Sequence, residues 1–112
     1  EWLKIINEFG GEIPETYGVP VEQISEGLKY GVRKVNIDTD LRLASTGAIR
    51  RFLAENPSEF DPRKYLKASM KAMEEICVAR YEMFGTAGNA SKIKPVSLDT
   101  MFDRYQAGDL SV

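Results

Sequence analysis

Apolar and polar positions along the chain fall into segments of two different periods. Residues 1–9, EWLKIINEF, place Trp2, Ile5, Ile6 and Phe9 at helical spacing, and Gly10-Gly11 ends the run. Residues 12–20, EIPETYGVP, are punctuated by Pro14, Gly18 and Pro20 and read as a loop. Val21, Ile24 and Leu28 share one face of a second helix, which Gly31 stops. Val32–Ile37 then alternates with period two, as a short strand does. Directly after it, Leu41, Ala44, Ala48, Phe52 and Leu53 recur at three- and four-residue intervals, which predicts a helix to about Glu55.

The break NPSEFDP leads into the longest helix, with Asp61 placed as its N-cap and Pro62 in the first turn. Leu66, Met70, Met73, Cys77, Tyr81 and Phe84 form its apolar stripe, and Gly85 stands where a terminating glycine belongs. Residues 85–95, GTAGNASKIKP, read as a mobile surface loop. Ser97 opens a last short helix carrying Leu98, Met101, Phe102 and Tyr105, closed by Gly108. The pattern divides the chain into a helix-loop-helix unit at 1–31, a strand and helix at 32–55, and a helical extension at 58–112.

One strand among about five helices is an imbalance. A solitary strand leaves its backbone groups without partners. Helix–strand–helix order suits a parallel sheet with crossover helices, so the chain is expected to be part of a larger α/β protein.

The seam between strand and helix, Asn36-Ile37-Asp38-Thr39-Asp40, contains no ordinary turn residue. Alternation puts Lys34, Asn36 and Asp38 on one face and Val35 and Ile37 on the other. In a (β/α) barrel the first set points inward at the C-terminal mouth, where such folds build active sites. Thr39 and Asp40 fall at the start of the next helix, whose free N–H groups and positive dipole end favour anions. A phosphate-bearing substrate fits that chemistry. The plainer reading is that Asp38 and Thr39 only cap the helix or form its turn.

Arg63, Lys64 and Lys67 crowd the first turns of the long helix, where cations are disfavoured unless an anion lies between them. A bidentate arginine suits a phosphate, and Asp61 and Glu59 are the alternative counter-charges. Lys34 could form a Schiff base or pair with a carboxylate. Cys77 on the stripe reads as core, Glu74 and Glu75 as exposed, and Arg42, Arg50 and Arg51 as a solvated helix face.

Bulk composition narrows the function classes. The 112 residues are 43% apolar and 29% charged, with a net charge of −2, so nothing global favours nucleic acid or an anionic membrane. No apolar run approaches a membrane span, no signal-peptide pattern opens the chain, and the single cysteine points to a reducing, cytoplasmic setting. The absence of histidine removes His-based acid/base chemistry and any His-ligated zinc within these residues.

The run YGVRKVNIDTDLRLASTGAIRRFLAENPSEFDPRKYLK closely resembles the C-terminal third of class II fructose-1,6-bisphosphate aldolases, of the subtype found in many carbon-fixing and other bacteria. The likeness extends through KAMEEICVARYEMFGTAGNASKIKP and back through GGEIPETYGVP, and the pairing of NIDTD with DPR is its specific part. It implies the last strand and C-terminal helices of a zinc-dependent (β/α)8 TIM barrel, mostly helical in this chain. It implies a lyase that reversibly cleaves fructose 1,6-bisphosphate to dihydroxyacetone phosphate and glyceraldehyde 3-phosphate, serving glycolysis, gluconeogenesis and the Calvin cycle. By the same resemblance, Asn36 contacts the dihydroxyacetone phosphate half. Ile37, Asp38 and Thr39 complete its pocket, and Arg63 reaches the other phosphate in a neighbouring subunit's site. The family's zinc ligands and acid/base carboxylates have no counterparts here, so zinc and the catalytic groups are expected outside this chain, which alone should be inactive. Some relatives carry tyrosine where Phe60 stands. The expected partners are the sugar phosphate, the remaining aldolase chain and neighbouring copies in a homo-oligomer, with no nucleic acid and no membrane. A tagatose-bisphosphate aldolase segment and a free-standing helical interaction module stay open as alternatives.

Overall fold

Helices begin and end in the computed structural model where the caps and glycines said they should. Residues 1–16 and 18–109 are described; Tyr17 of the 12–20 loop and the last three residues of the helical extension lie outside them. The helices are α1 (Trp2–Glu8), α2 (Val21–Lys29), α3 (Thr39–Glu55), α4 (Pro62–Met83) and α5 (Leu98–Ala107), with a single 3-10 turn at Ala90–Lys92. Asp61 caps α4 by accepting from the Arg63 amide, with Pro62 in the first turn. Ser97 caps α5 through the Thr100 amide at 3.1 Å. Gly85 follows α4 at φ +68°, the left-handed conformation that a Cβ disfavours.

The core is narrow. Helices α3 and α4 run antiparallel, joined near one end by Arg80 and Asp40 and further along by the Ser45 and Ser69 hydroxyls, 2.7 Å apart. Ala44 and Ala48 face Ala72 and Ser69 across the seam, and all four are buried. Small side chains on both helices allow the close approach. Beside that contact, α1 lays Trp2 and Ile6 over Gly47, and Trp2 also packs against the alanine cluster. A Cβ at Gly47 would stand 2.8 Å from the Trp2 ring, so the glycine makes room for α1. Ile6 is the one large side chain fully buried among the described residues.

One expectation changes here. Among the described residues no strand forms, and Val32–Ile37 has no regular secondary structure and no ladder partner. The alternation survives: Val35 and Ile37 are half-buried toward the helices, while Lys34, Asn36 and Asp38 are exposed. A strand needs neighbours to hydrogen-bond, and these residues meet only helices. The α4 stripe, whose partners are expected outside this chain, is not the face packed on α3. Leu66, Met70 and Tyr81 are exposed, and α4 instead buries Ser69 and Ala72 with Ile76 against α3. At 100° per residue the large apolar stripe sits about a quarter-turn from that face.

The 85–95 loop is on the surface as expected, but it is organised. The Asn89 side-chain amide donates to the Thr86 and Ala87 carbonyls, and the Thr86 and Ala87 amides donate to Tyr81 O.

Candidate functional site

Asp38 occupies the N-cap position of α3, yet its side chain does not cap the helix. Its carboxylate instead accepts from Arg42 Nε at 2.8 Å, one turn on. Simple capping therefore does not account for Asp38, and no carboxylate from that position takes up the first-turn amides of α3. Thr39 is the first residue of the same turn. Just before it, Lys34 Nζ donates to Asn36 Oδ1. That bond engages the carbonyl oxygen of Asn36 and leaves its NH2 as the group to offer a ligand oxygen.

Lys34, Asn36, Ile37, Asp38 and Thr39 line one cleft of about 550 Å3, with α2 forming the opposite wall through Val21 and Ile24. The ammonium, amide and hydroxyl are donors, joined by the positive end of the α3 dipole. The two carboxylates at the rim are each paired with an arginine, Asp38 with Arg42 and Asp40 with Arg80. Paired carboxylates repel an incoming anion less than free ones do, so the cleft is chemically suited to phosphate oxygens. Behind the seam, Val35 and Ile37 face a second cavity of about 390 Å3, lined by Leu28, Leu41, Ile76 and Phe84.

Arg63 is not brought to this cleft. The antiparallel pairing puts the start of α4 beside the end of α3, roughly 25 Å from the seam at about 1.5 Å per residue. There the Arg63 guanidinium forks onto Asp61, with Nη2 to Oδ2 at 2.6 Å and Nε to Oδ1 at 3.0 Å. Lys64 pairs with Glu59 in the same turn. The side-chain hydrogen bond from Arg63 holds the Asp61 carboxyl below its ordinary range, and that from Lys64 does the same for Glu59. Both cations are raised in return. The counter-charges at this helix start are thus the chain's own carboxylates, while Arg63 remains 88% exposed.

Arg42, Arg50 and Arg51 do not form a purely solvated face. Arg42 pairs with Asp38, Arg50 donates to Phe9 O at 3.3 Å, and Arg51 sits 5.5 Å from the Trp2 ring centroid. The i, i+4 spacing of Asp38 and Arg42 permits the first without excluding a cap by Asp38. Lys34 bonds an amide rather than a carboxylate. Cys77 is half-buried beside the apolar cavity. Sequence reasoning missed Arg80 altogether, because its partner Asp40 lies 40 residues away and no local spacing links them.

Among the described residues no group of three or more His, Cys, Asp or Glu side chains is placed to hold a metal. With no histidine in the sequence and Cys77 facing an apolar cavity, the donor set here does not fit a zinc site.

Comparison with known proteins gives this cleft a context. The family model for class-II fructose-bisphosphate aldolase matches residues 15–89, which take in the seam, α3, α4 and the first residues of the loop after it. A fructose-bisphosphate aldolase of Stutzerimonas stutzeri is 78% identical over 110 residues, covering 98% of this chain and 31% of its own length. One from Nostoc sp. is 62% identical over 97% of this chain and 30% of its own. A sequence named fructose-bisphosphate aldolase 2, from Rhodobacter capsulatus, is 60% identical and is matched over 94% of its length. The chain thus spans about a third of the length of the first two relatives. A family match over most of the chain, on the very residues that build the cleft, means that this chain belongs to the class-II fructose-bisphosphate aldolases.

Proposed function

We propose that these residues serve the reversible cleavage of fructose 1,6-bisphosphate to dihydroxyacetone phosphate and glyceraldehyde 3-phosphate, as the C-terminal part of a zinc-dependent (β/α)8 barrel. The observation that carries this reading is the 78% identity, across nearly the whole chain, to a protein named for that reaction. The relatives cited above are named for fructose bisphosphate, which favours it over the tagatose isomer. Zinc and the acid/base carboxylates belong to parts of the barrel outside these residues. In that setting Val32–Ile37 gains the strand neighbours it lacks here.

Within the cleft, the Asn36 amide holds the dihydroxyacetone phosphate half near its reacting carbons. Ile37 and Asp38 shape the pocket, and Thr39 with the first-turn amides of α3 takes the phosphate. Arg63 serves the far phosphate in a site of a neighbouring subunit, a reading supported by the roughly 25 Å that separates it from this chain's own seam. The assembly is a homo-oligomer working in the cytoplasm. A free-standing module that binds a partner through its apolar stripes would fold stably by itself, whereas Ile6 is the one large side chain fully buried among the described residues.

The test is steady-state aldol cleavage by the full-length protein, with native mass spectrometry before and after chelation. Chelation should abolish turnover. Asn36→Ala should lower kcat by about 100-fold, the scale of one lost donor at a reacting centre. Arg63→Ala should mainly raise KM, by roughly 10- to 100-fold for a charged hydrogen bond. Chelator-insensitive cleavage, or unchanged bisphosphate affinity in the Arg63 variant, would defeat the respective assignment.

A further inference from the structure

We propose that Arg80 is a positioning residue for the phosphate end of the cleft, acting through Asp40 to hold and discharge the N-terminus of α3. The inference rests on the sugar-phosphate reading above. Arg80 Nη2 donates to Asp40 Oδ2 at 2.9 Å, joining the last turn of α4 to the first turn of α3. Each charge also complements its own helix dipole. The pairs Lys29–Glu26, Arg42–Asp38, Arg63–Asp61, Lys64–Glu59 and Lys71–Glu75 are all local and their cations are at least 60% exposed. The Arg80 side chain is only 19% exposed. It lies in the wall between the two cavities, touching the apolar one behind Val35 and Ile37 and the polar one at Asn36 and Thr39.

Two consequences follow for an anionic substrate. Asp40 sits one residue from Thr39, and unpaired it would oppose a phosphate at the α3 amides. Arg80 cancels that charge from the wall that the two cavities share. The same bond ties the start of α3 to α4, so the seam residues keep their positions when the cleft fills. Arginine suits the role because its fork stays charged when half-buried and holds direction.

The experiment is cleavage kinetics on the full-length, zinc-loaded enzyme, with fructose 1,6-bisphosphate as probe and thermal unfolding of every variant. Arg80→Met should raise KM about tenfold, the scale of one uncompensated charge acting across a partly solvated site, with kcat within about twofold. Asp40→Asn added to Arg80→Met should bring KM back toward the parent value, and Arg80→Lys should lose less than Arg80→Met. A purely structural role would instead lower the melting temperature and kcat together, with no recovery in the double variant; that result, or an unchanged KM in Arg80→Met, overturns the proposal. Should Arg80→Met fail to fold, Arg80→Lys and its combination with Asp40→Asn decide it by the same KM comparison. If the unsubstituted enzyme does not cleave the bisphosphate, the aldolase reading fails and this inference falls with it. If it cleaves and the Arg80 variants match it in KM, only this inference fails.

Discussion

Asp61 accepts from the Arg63 amide to cap α4 and from the Arg63 guanidinium to pair with it, so one carboxylate sets both the helix start and the direction of the arginine. Its pKa is depressed below the ordinary 3.8, first by the Arg63 side-chain bond, and Glu59 is depressed below 4.5, first by Lys64. A depressed carboxylate stabilises the folded state above its unfolded pKa, and that contribution disappears as pH falls through the folded value. Lowering pH from about 5 to about 2 should therefore reduce the protection of the Arg63 and Lys64 amides, relative to their intrinsic exchange rates, in the full-length protein before the middle of α4 responds. Asp61→Ala should leave those amides with low protection at every pH. Equal protection at both ends of that range would sink the idea. The Asp-Pro-Arg spacing made this cap readable in the sequence. The pairing that empties the Asp38 cap was not, because Asp38 can bond its own first turn or reach Arg42 and the spacing permits both.

Among the elements, α3 is the one that others are built against. Its Gly47 costs helix propensity by about 1 kcal/mol relative to alanine, yet the Trp2 ring lies where a Cβ would need to go. Gly47→Ala should thus destabilise the enzyme by about 1–3 kcal/mol through overpacking, despite alanine's better propensity. Denaturant unfolding of the full-length protein measures it, and a stabilised variant would show that α1 simply moves aside. Helix boundaries were legible throughout, since caps, prolines and glycines act locally. The packed face of α4 was not. Its stripe of large apolar residues is the stronger signal, but α3 presents alanines, and close approach selects Ser69 and Ala72 across from them.

The whole molecule is 59 × 34 × 25 Å with a radius of gyration of 19.4 Å. A compact domain of this length has a radius near 13 Å. Its accessible surface is 9169 Å2, against about 6200 Å2 for a compact chain of this mass. Leu98 and Phe60 are both 88% exposed, and Phe102 and Tyr105 leave the face of α5 without cover. Residues 1–112 in isolation should accordingly unfold with a urea slope below the usual ~1–3 kcal/mol/M for a small domain, and should bind a hydrophobic dye. The full-length enzyme should do neither. A steep, dye-silent transition in the isolated chain would mean that these faces find partners among themselves, and the interaction-module alternative would regain its standing.

The order and limits of the helices, the alternation through Val32–Ile37 and the donor-rich seam were determined by the sequence itself. Capping, periodicity and backbone preference are short-range, and tertiary packing did not overrule them here. Which face of α4 is buried, that Val32–Ile37 stays unpaired beside helices, that Arg63 stands a helix length from the seam, and that Arg80 discharges Asp40 were decided only in three dimensions. Each depends on residues far apart in the chain, and contacts of that kind leave no period or spacing to read.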